Sequence, residues 1–245
     1  MKNTFSLTKR LEYSQVDWNY NYRIDCIFND FQTITTFHSQ EMGVDGPSML
    51  KNSNAFWVLS KLKLQINELP LMGDEITANT FPTTVSSIKF MRDYLITKSG
   101  KSLILGTSEW CTLDATTGRL RKSSSVCYPF DMEHVEYGSG CTEFSKQKTT
   151  VEQKDYIYAH TVGYTDIDTN KHANNVSYVR MVLNAFSPEE LCSSDVSEFE
   201  IYYLAQVYYG QQVQVYKVKT DYGYYIEGQN AEKPVFACVI KLKVK

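Results

Sequence analysis

The sequence has no run approaching the roughly 18 apolar residues that a membrane-spanning helix needs. Its first stretch, Met1 to Gln15, is polar and mixed in charge, without the apolar centre of a secretory signal. The six cysteines, Cys26, Cys111, Cys127, Cys141, Cys192 and Cys238, form no C-x-x-C pair and no cluster with histidine. That spacing argues against zinc and against a disulfide frame, and reads as scattered reduced thiols in a cytoplasmic protein. A net charge of −3, with both signs interspersed, gives no pull toward nucleic acid or an anionic membrane. No motif asks for a cofactor or a metal.

What is present points to sheet. There are 18 Tyr and 12 Phe, many in short alternating runs, which favour strands over a helical bundle. At 245 residues the chain could be one large domain or two of about 120, either able to bury a core.

An internal repeat favours two. Aligning Asp17 with Asp168, an offset of 151, places Asn19 on Asn170 and Asn21 on His172. After the first motif Ile24, Ile27, Phe28, Phe31 and Ile34 recur at helical spacing, with Gly43 as a stop. After the second, Val176, Val179, Leu183 and Phe186 recur likewise, and Pro188 ends the run. Strand-like segments follow each helix. In the first half they are Trp57–Ile66, Glu75–Thr80, Ile88–Thr97 and Leu103–Asp114, with a break expected at Pro82. In the second half they are Phe199–Tyr208, Gln212–Thr220, Gly223–Gly228 and Val235–Val244.

Each half therefore reads as a strand, one long helix and about four antiparallel strands. A sheet wrapped around a central helix is a hotdog, so the expected fold is α+β, a tandem (double) hotdog. The expected division is 1–119, a Ser- and charge-rich connection over 120–153, and 154–245.

Asp168, Asn170 and His172 put a carboxylate, an amide and an imidazole within five residues, just before a helix expected to begin near Ala173 or Asn174. If the segment is extended, positions i, i+2 and i+4 face one side, and the helix N-terminus adds N–H groups for an oxyanion. Such a set suits attack of water on a polarised carbonyl. The same residues also suit an Asx turn and helix cap with no chemistry. Asp17 and Asn19 hold those posts in the first half, so His172 is what marks the second half as active. Asp166, one strand step earlier, could share the face of Asp168 or serve structure alone.

The stretch Tyr164-Thr165-Asp166-Ile167-Asp168-Thr169-Asn170-Lys171-His172-Ala173-Asn174-Asn175-Val176-Ser177-Tyr178 resembles the D-x-N-x-H-x-N-N-x-x-Y signature of the acyl-acyl carrier protein (ACP) thioesterases of plants and bacteria. Phe56-Trp57-Val58-Leu59-Ser60-Lys61 is similar to the family's W-V-L-S-R strand. The resemblance extends over nearly the whole chain. It implies a thioester hydrolase releasing free fatty acid, with Asp168, Asn170 and His172 as catalytic groups and no cofactor. It also implies a glutamate base on a strand after the helix, a position where this chain carries Gln206. Glutamine can hold water but cannot take its proton. The expectation is therefore Asp168 as base, Gln206 and Asn170 holding water, and His172 polarising the carbonyl. Val207 stands where plant members carry a cysteine, which favours direct attack by water.

The resemblance further implies an acyl-chain site in the first half, with Ile27, Phe31, Ile34, Phe56, Trp57 and Leu59 as candidates. It implies an acidic carrier protein as partner, docking on basic residues such as Lys61 and Lys63, or Arg119, Arg121 and Lys122. A homodimer through the sheet edges is compatible with the pattern. An acyl-CoA substrate, a hotdog hydratase and a non-catalytic acyl-binding module are the alternatives. The hydratase fits least, because its usual motif has a proline and one more residue before histidine.

Overall fold

The computed structural model describes residues 3–131, 144–145, 154–190, 196–221 and 223–243. Cys141, Cys192, most of the expected 120–153 connection and the strand end at Val244 lie outside the described residues.

Strand β1 (Phe5–Arg10) leads through a 3-10 turn at Tyr13–Gln15 into α1 (Ile24–Glu41). Ile24, Ile27, Phe28, Phe31 and Ile34 are buried, as their spacing predicts, and His38 extends the stripe. The helix stops before Gly43, whose φ of +69° is the left-handed conformation that favours glycine at this post. Helix α2 (Gly46–Ser53) has eight residues, too few to show a stripe, and its signal is the Asp45-Gly46-Pro47 start.

Strands β2 (Ala55–Ile66), β3 (Glu75–Val85), β4 (Phe90–Lys98) and β5 (Lys101–Asp114) complete the first half. Strand β3 continues past Pro82, where a break was expected. Its neighbour β1 ends opposite Thr80, so among the described residues no strand pairs with that side of Pro82, and the β4 register shifts between Pro82 and Val85.

The second half repeats the order with β6 (Asp155–Thr161), a 3-10 turn at Tyr164–Asp166, α3 (Asn175–Leu183), β7 (Val196–Tyr203), β8 (Gln212–Thr220), β9 (Gly223–Asn230) and β10 (Lys233–Leu242). The strand expected to reach Tyr208 ends at Tyr203. Beyond it the N–H groups of Leu204 and Ala205 both turn onto the Val235 carbonyl, which takes the chain off the ladder.

The ten strands among the described residues form one antiparallel sheet, in the order β1-β3-β4-β5-β2-β7-β10-β9-β8-β6. Read from either edge inward the order is the same, so the halves are related by a quasi-two-fold through the β2–β7 seam, where Leu62 faces Ile201 and Leu64 faces Phe199. This is the α+β tandem hotdog. The main buried apolar cluster takes residues from both halves across the seam, with Phe28 of α1 set edge-on to Phe199 at 5.3 Å. Among the described residues no helix is long and apolar enough to cross a membrane.

The face of the sheet away from the helices overturns part of the expected basic patch. Lys63 is buried there, 3.0 Å from Glu198 and 3.8 Å from Glu200. Lys61 lies over the rings of Phe144 and Tyr202. Arg121 is used to bind the Ser53 carbonyl and Ser125. Arg119 and Lys122 remain exposed.

Candidate active site

The stretch carrying Asp168 and His172 is a closed turn rather than an extended segment. The Asp168 N–H donates to the His172 carbonyl at 3.0 Å, and the Lys171 N–H to the Asp168 carbonyl at 3.0 Å. Lys171 occupies the left-handed region at φ +65° to close it. Asp168 Oδ1 accepts the Asn170 N–H at 2.8 Å, an Asx turn. The three side chains are thus not lined up by alternation along a strand. Asn174 caps α3, its side chain accepting the Val176 N–H at 2.8 Å.

The first half builds the same turn. Asp17 N–H donates to the Asn21 carbonyl at 2.8 Å, Tyr20 N–H to the Asp17 carbonyl at 3.0 Å, and Asp17 Oδ1 accepts the Asn19 N–H at 2.8 Å. Tyr20 takes φ +62° in the place of Lys171. The match extends outward: Arg23 N–H reaches Gln15 O at 3.0 Å as Asn174 N–H reaches Asp166 O at 2.7 Å.

A second segment is fastened against each turn. Ala173 N–H donates to the Val207 carbonyl at 2.8 Å, as Tyr22 N–H does to Pro70 at 2.9 Å. Tyr178 of α3 secures the second-half segment twice, its hydroxyl donating to the Ala205 carbonyl at 3.1 Å and accepting the Val207 N–H at 3.1 Å. Burial, helped by the Asp168 charge and Tyr208, pushes the Tyr178 phenol up to about 12, so it stays neutral and able to donate. Gln206 therefore sits on a loop bound beside the turn, not on a strand.

Ala173 and Val207 are fully buried, while His172 is half-buried and Gln206 and Tyr208 are exposed, so these three flank a buried pair on its solvent side. His172 Nδ1 lies 3.0 Å from the Ala173 carbonyl, and the Tyr208 hydroxyl donates to Gln206 Oε1 at 3.0 Å. Tyr208 is a residue that the sequence reading missed. Its only signal was its place two residues beyond Gln206.

Asp166 ties the edge strand to the turn. One of its carboxylate oxygens lies 2.8 Å from His160 Nε2 and accepts the Gly163 N–H at 2.8 Å, and its carbonyl accepts from Ser177 Oγ at 3.2 Å. Partial burial raises the Asp166 pKa, but the Gly163 N–H and His160 outweigh it and hold the carboxyl below its usual range.

Of the six acyl-site candidates, Ile27, Phe31, Ile34 and Leu59 share the main core cluster with Ala173, Tyr178 and Val207. Trp57 belongs to a neighbouring cluster with Met42, Met49 and Phe90, its indole N–H on the Val44 carbonyl at 2.7 Å. Phe56 alternates with Trp57 on β2 and faces the other side of the sheet.

With this geometry in view, the model of the acyl-ACP thioesterase N-terminal domain matches residues 2–126, and that of the C-terminal domain matches residues 147–239. The chain belongs to the acyl-ACP thioesterase family. A chloroplastic acyl-acyl carrier protein hydrolase of Cuphea viscosissima is 31% identical over 193 residues, 71% of this chain and 45% of that one. The chain spans about half the length of such curated relatives. An acyl-ACP thioesterase structure from Bacteroides thetaiotaomicron superposes with a TM-score of 0.86 at 21% identity, covering 98% of both chains. The 12:0-ACP thioesterase of Umbellularia californica superposes at 0.80 with 16% identity, over 100% of this chain and 99% of that one. These two likenesses establish the family fold across both halves.

Proposed function

We propose that this chain hydrolyses the thioester of fatty acyl-acyl carrier protein and releases free fatty acid, with Asp168, Asn170, His172 and Gln206 as its catalytic set. The observation that carries this reading is the meeting of the His172 turn with the Gln206 loop through the Ala173–Val207 hydrogen bond. Water attacks the carbonyl there, and thiolate is a good leaving group that needs little help. The apolar cluster that begins at Ala173 and Val207 continues to α1, so an acyl chain entering at the turn would meet Ile27, Phe31, Ile34 and Leu59, with Trp57 beyond. Phe56 would not line that path.

The carrier protein would be the partner in the cytoplasm. A homodimer through the open edges β1 and β6 belongs to the same proposal. Withdrawal of Lys63 and Arg121 into the fold favours a second reading, an acyl-CoA substrate, because it leaves less basic surface for an acidic carrier. Thiol release from paired acyl-ACP and acyl-CoA substrates tests both. Faster turnover of the ACP thioesters, falling with added salt, supports the first. Tight acyl binding without thiol release from either would sink both.

A further inference from the structure

We infer that His172 is the general base, and that Gln206, oriented by Tyr208, is the donor that stabilises the carbonyl oxygen. This rests on the thioester-hydrolase reading and redistributes the roles within it.

Three hydrogen bonds carry the assignment. A carbonyl oxygen only accepts, so His172 Nδ1, 3.0 Å from the Ala173 carbonyl, bears the hydrogen. In the neutral ring Nε2 then holds a lone pair, and it can take a proton before it can give one. Second, the Tyr208 hydroxyl donates to Gln206 Oε1. That anchors the amide by its oxygen, so the amide nitrogen with its two N–H donors is the end that can serve a ligand. Third, Asp168 Oδ1 is engaged by the Asn170 N–H at 2.8 Å, the same length as the Asp17–Asn19 bond of the first half. The duplicated turn needs that carboxylate for its shape.

The quasi-two-fold separates scaffold from chemistry. Asp and Asn recur at both turns. His172 stands opposite Asn21. Because Val207 corresponds to Pro70 through their shared hydrogen bond, Gln206 corresponds to Leu69 and Tyr208 to Leu71. Across that relation His172, Gln206 and Tyr208 put an imidazole, an amide and a phenol where the first half has Asn21, Leu69 and Leu71.

The step balances. Water oxygen bonds to the thioester carbon as Nε2 takes one water proton, and the carbonyl π pair moves onto oxygen, where a Gln206 N–H meets it. The oxyanion then collapses, the C–S bond breaks, and the departing sulfur takes the proton from Nε2. A glutamate at 206 would place a like charge beside the oxyanion, so glutamine is the fitting residue for this division of labour. Tyr208 is a positioning residue, acting through the Gln206 amide.

The test measures kcat and KM for thiol release by the full chain and by four variants, on one acyl-ACP and one acyl-CoA substrate. Gln206→Ala should lose about 10²-fold or more in kcat, the scale of a lost oxyanion donor. Gln206→Glu should lose at least as much. Tyr208→Phe should lose about tenfold in kcat with KM little changed, the scale of one neutral hydrogen bond. In Gln206→Ala/Tyr208→Phe the second change should cost nothing further, which a merely structural tyrosine would not show. A rise in kcat for Gln206→Glu would overturn the assignment in favour of a base or water-holder at that position. Full additivity of the double variant would overturn the role of Tyr208. A wild-type chain that releases no thiol would instead remove the hydrolase reading, and this inference with it.

Discussion

The turns at Asp17–Asn21 and Asp168–His172 share their backbone hydrogen bonds, their Asx geometry and one left-handed residue each, and they differ in what they present. Behind the first, Tyr22 is fully buried and its hydroxyl is taken by Asp30, which also binds Lys9. Behind the second stands Ala173. The first turn is filled from below by a phenol and an ion pair, and it carries exposed Trp18, Tyr20 and Leu71 above. The second carries His172, Gln206 and Tyr208. One scaffold thus serves two ends, and a conserved-looking residue within the repeat is evidence for the turn before it is evidence for catalysis.

The difference can be broken by making the second turn resemble the first. His172→Asn should reduce kcat by about 10³-fold, within the range for loss of a general base, while leaving the melting temperature nearly unchanged. Retention of turnover would mean that the histidine does no chemistry. Gln206→Leu, copying Leu69, should cost about 10²-fold in kcat. Asp168→Asn, which still offers an oxygen to the Asn170 N–H, should cost far less than either, and a loss as deep as that of His172→Asn would restore Asp168 as the base.

Stability should treat the turns more evenly. Asp17→Ala and Asp168→Ala should each cost about 1 kcal/mol in denaturant unfolding, the value of a lost Asx or cap bond. Only the second should also reduce turnover. A finer difference concerns acid. Asp166 stands where the first half has Gln15. Its folded pKa is depressed, so its contribution is full above the unfolded carboxyl value and is lost as pH falls through the folded one. Asp166→Asn should therefore flatten the acid side of the unfolding profile, and Gln15→Ala should leave that side unchanged.

The smallest expected effect is the converse graft. Asn21→His should leave turnover unaltered in the wild type and fail to rescue His172→Asn, because Leu69 and Leu71 supply no partner beside it. Rescue would show that the turn alone suffices.

Although α3 ends at Leu183, short of Phe186, the amino-acid sequence by itself determined the duplication, the two helices, the buried stripe of α1, most strands, and the post of His172. All are written locally: in a 151-residue offset, in the 3.6 spacing from Ile24 to Ile34, and in the period-2 runs. Only the tertiary structure decided that β2 and β7 join two sheets into one, that β3 passes Pro82 beyond the end of β1, and that Lys63 is covered rather than available to a partner. Alternation separates the faces of a strand but does not say what covers each face. Likewise the fastening of the Gln206 loop against the His172 turn depends on Ala173 meeting Val207 and on the two bonds of Tyr178, contacts between segments about thirty residues apart. Such partners are chosen by packing, which closes only when the whole sheet has formed around its helices.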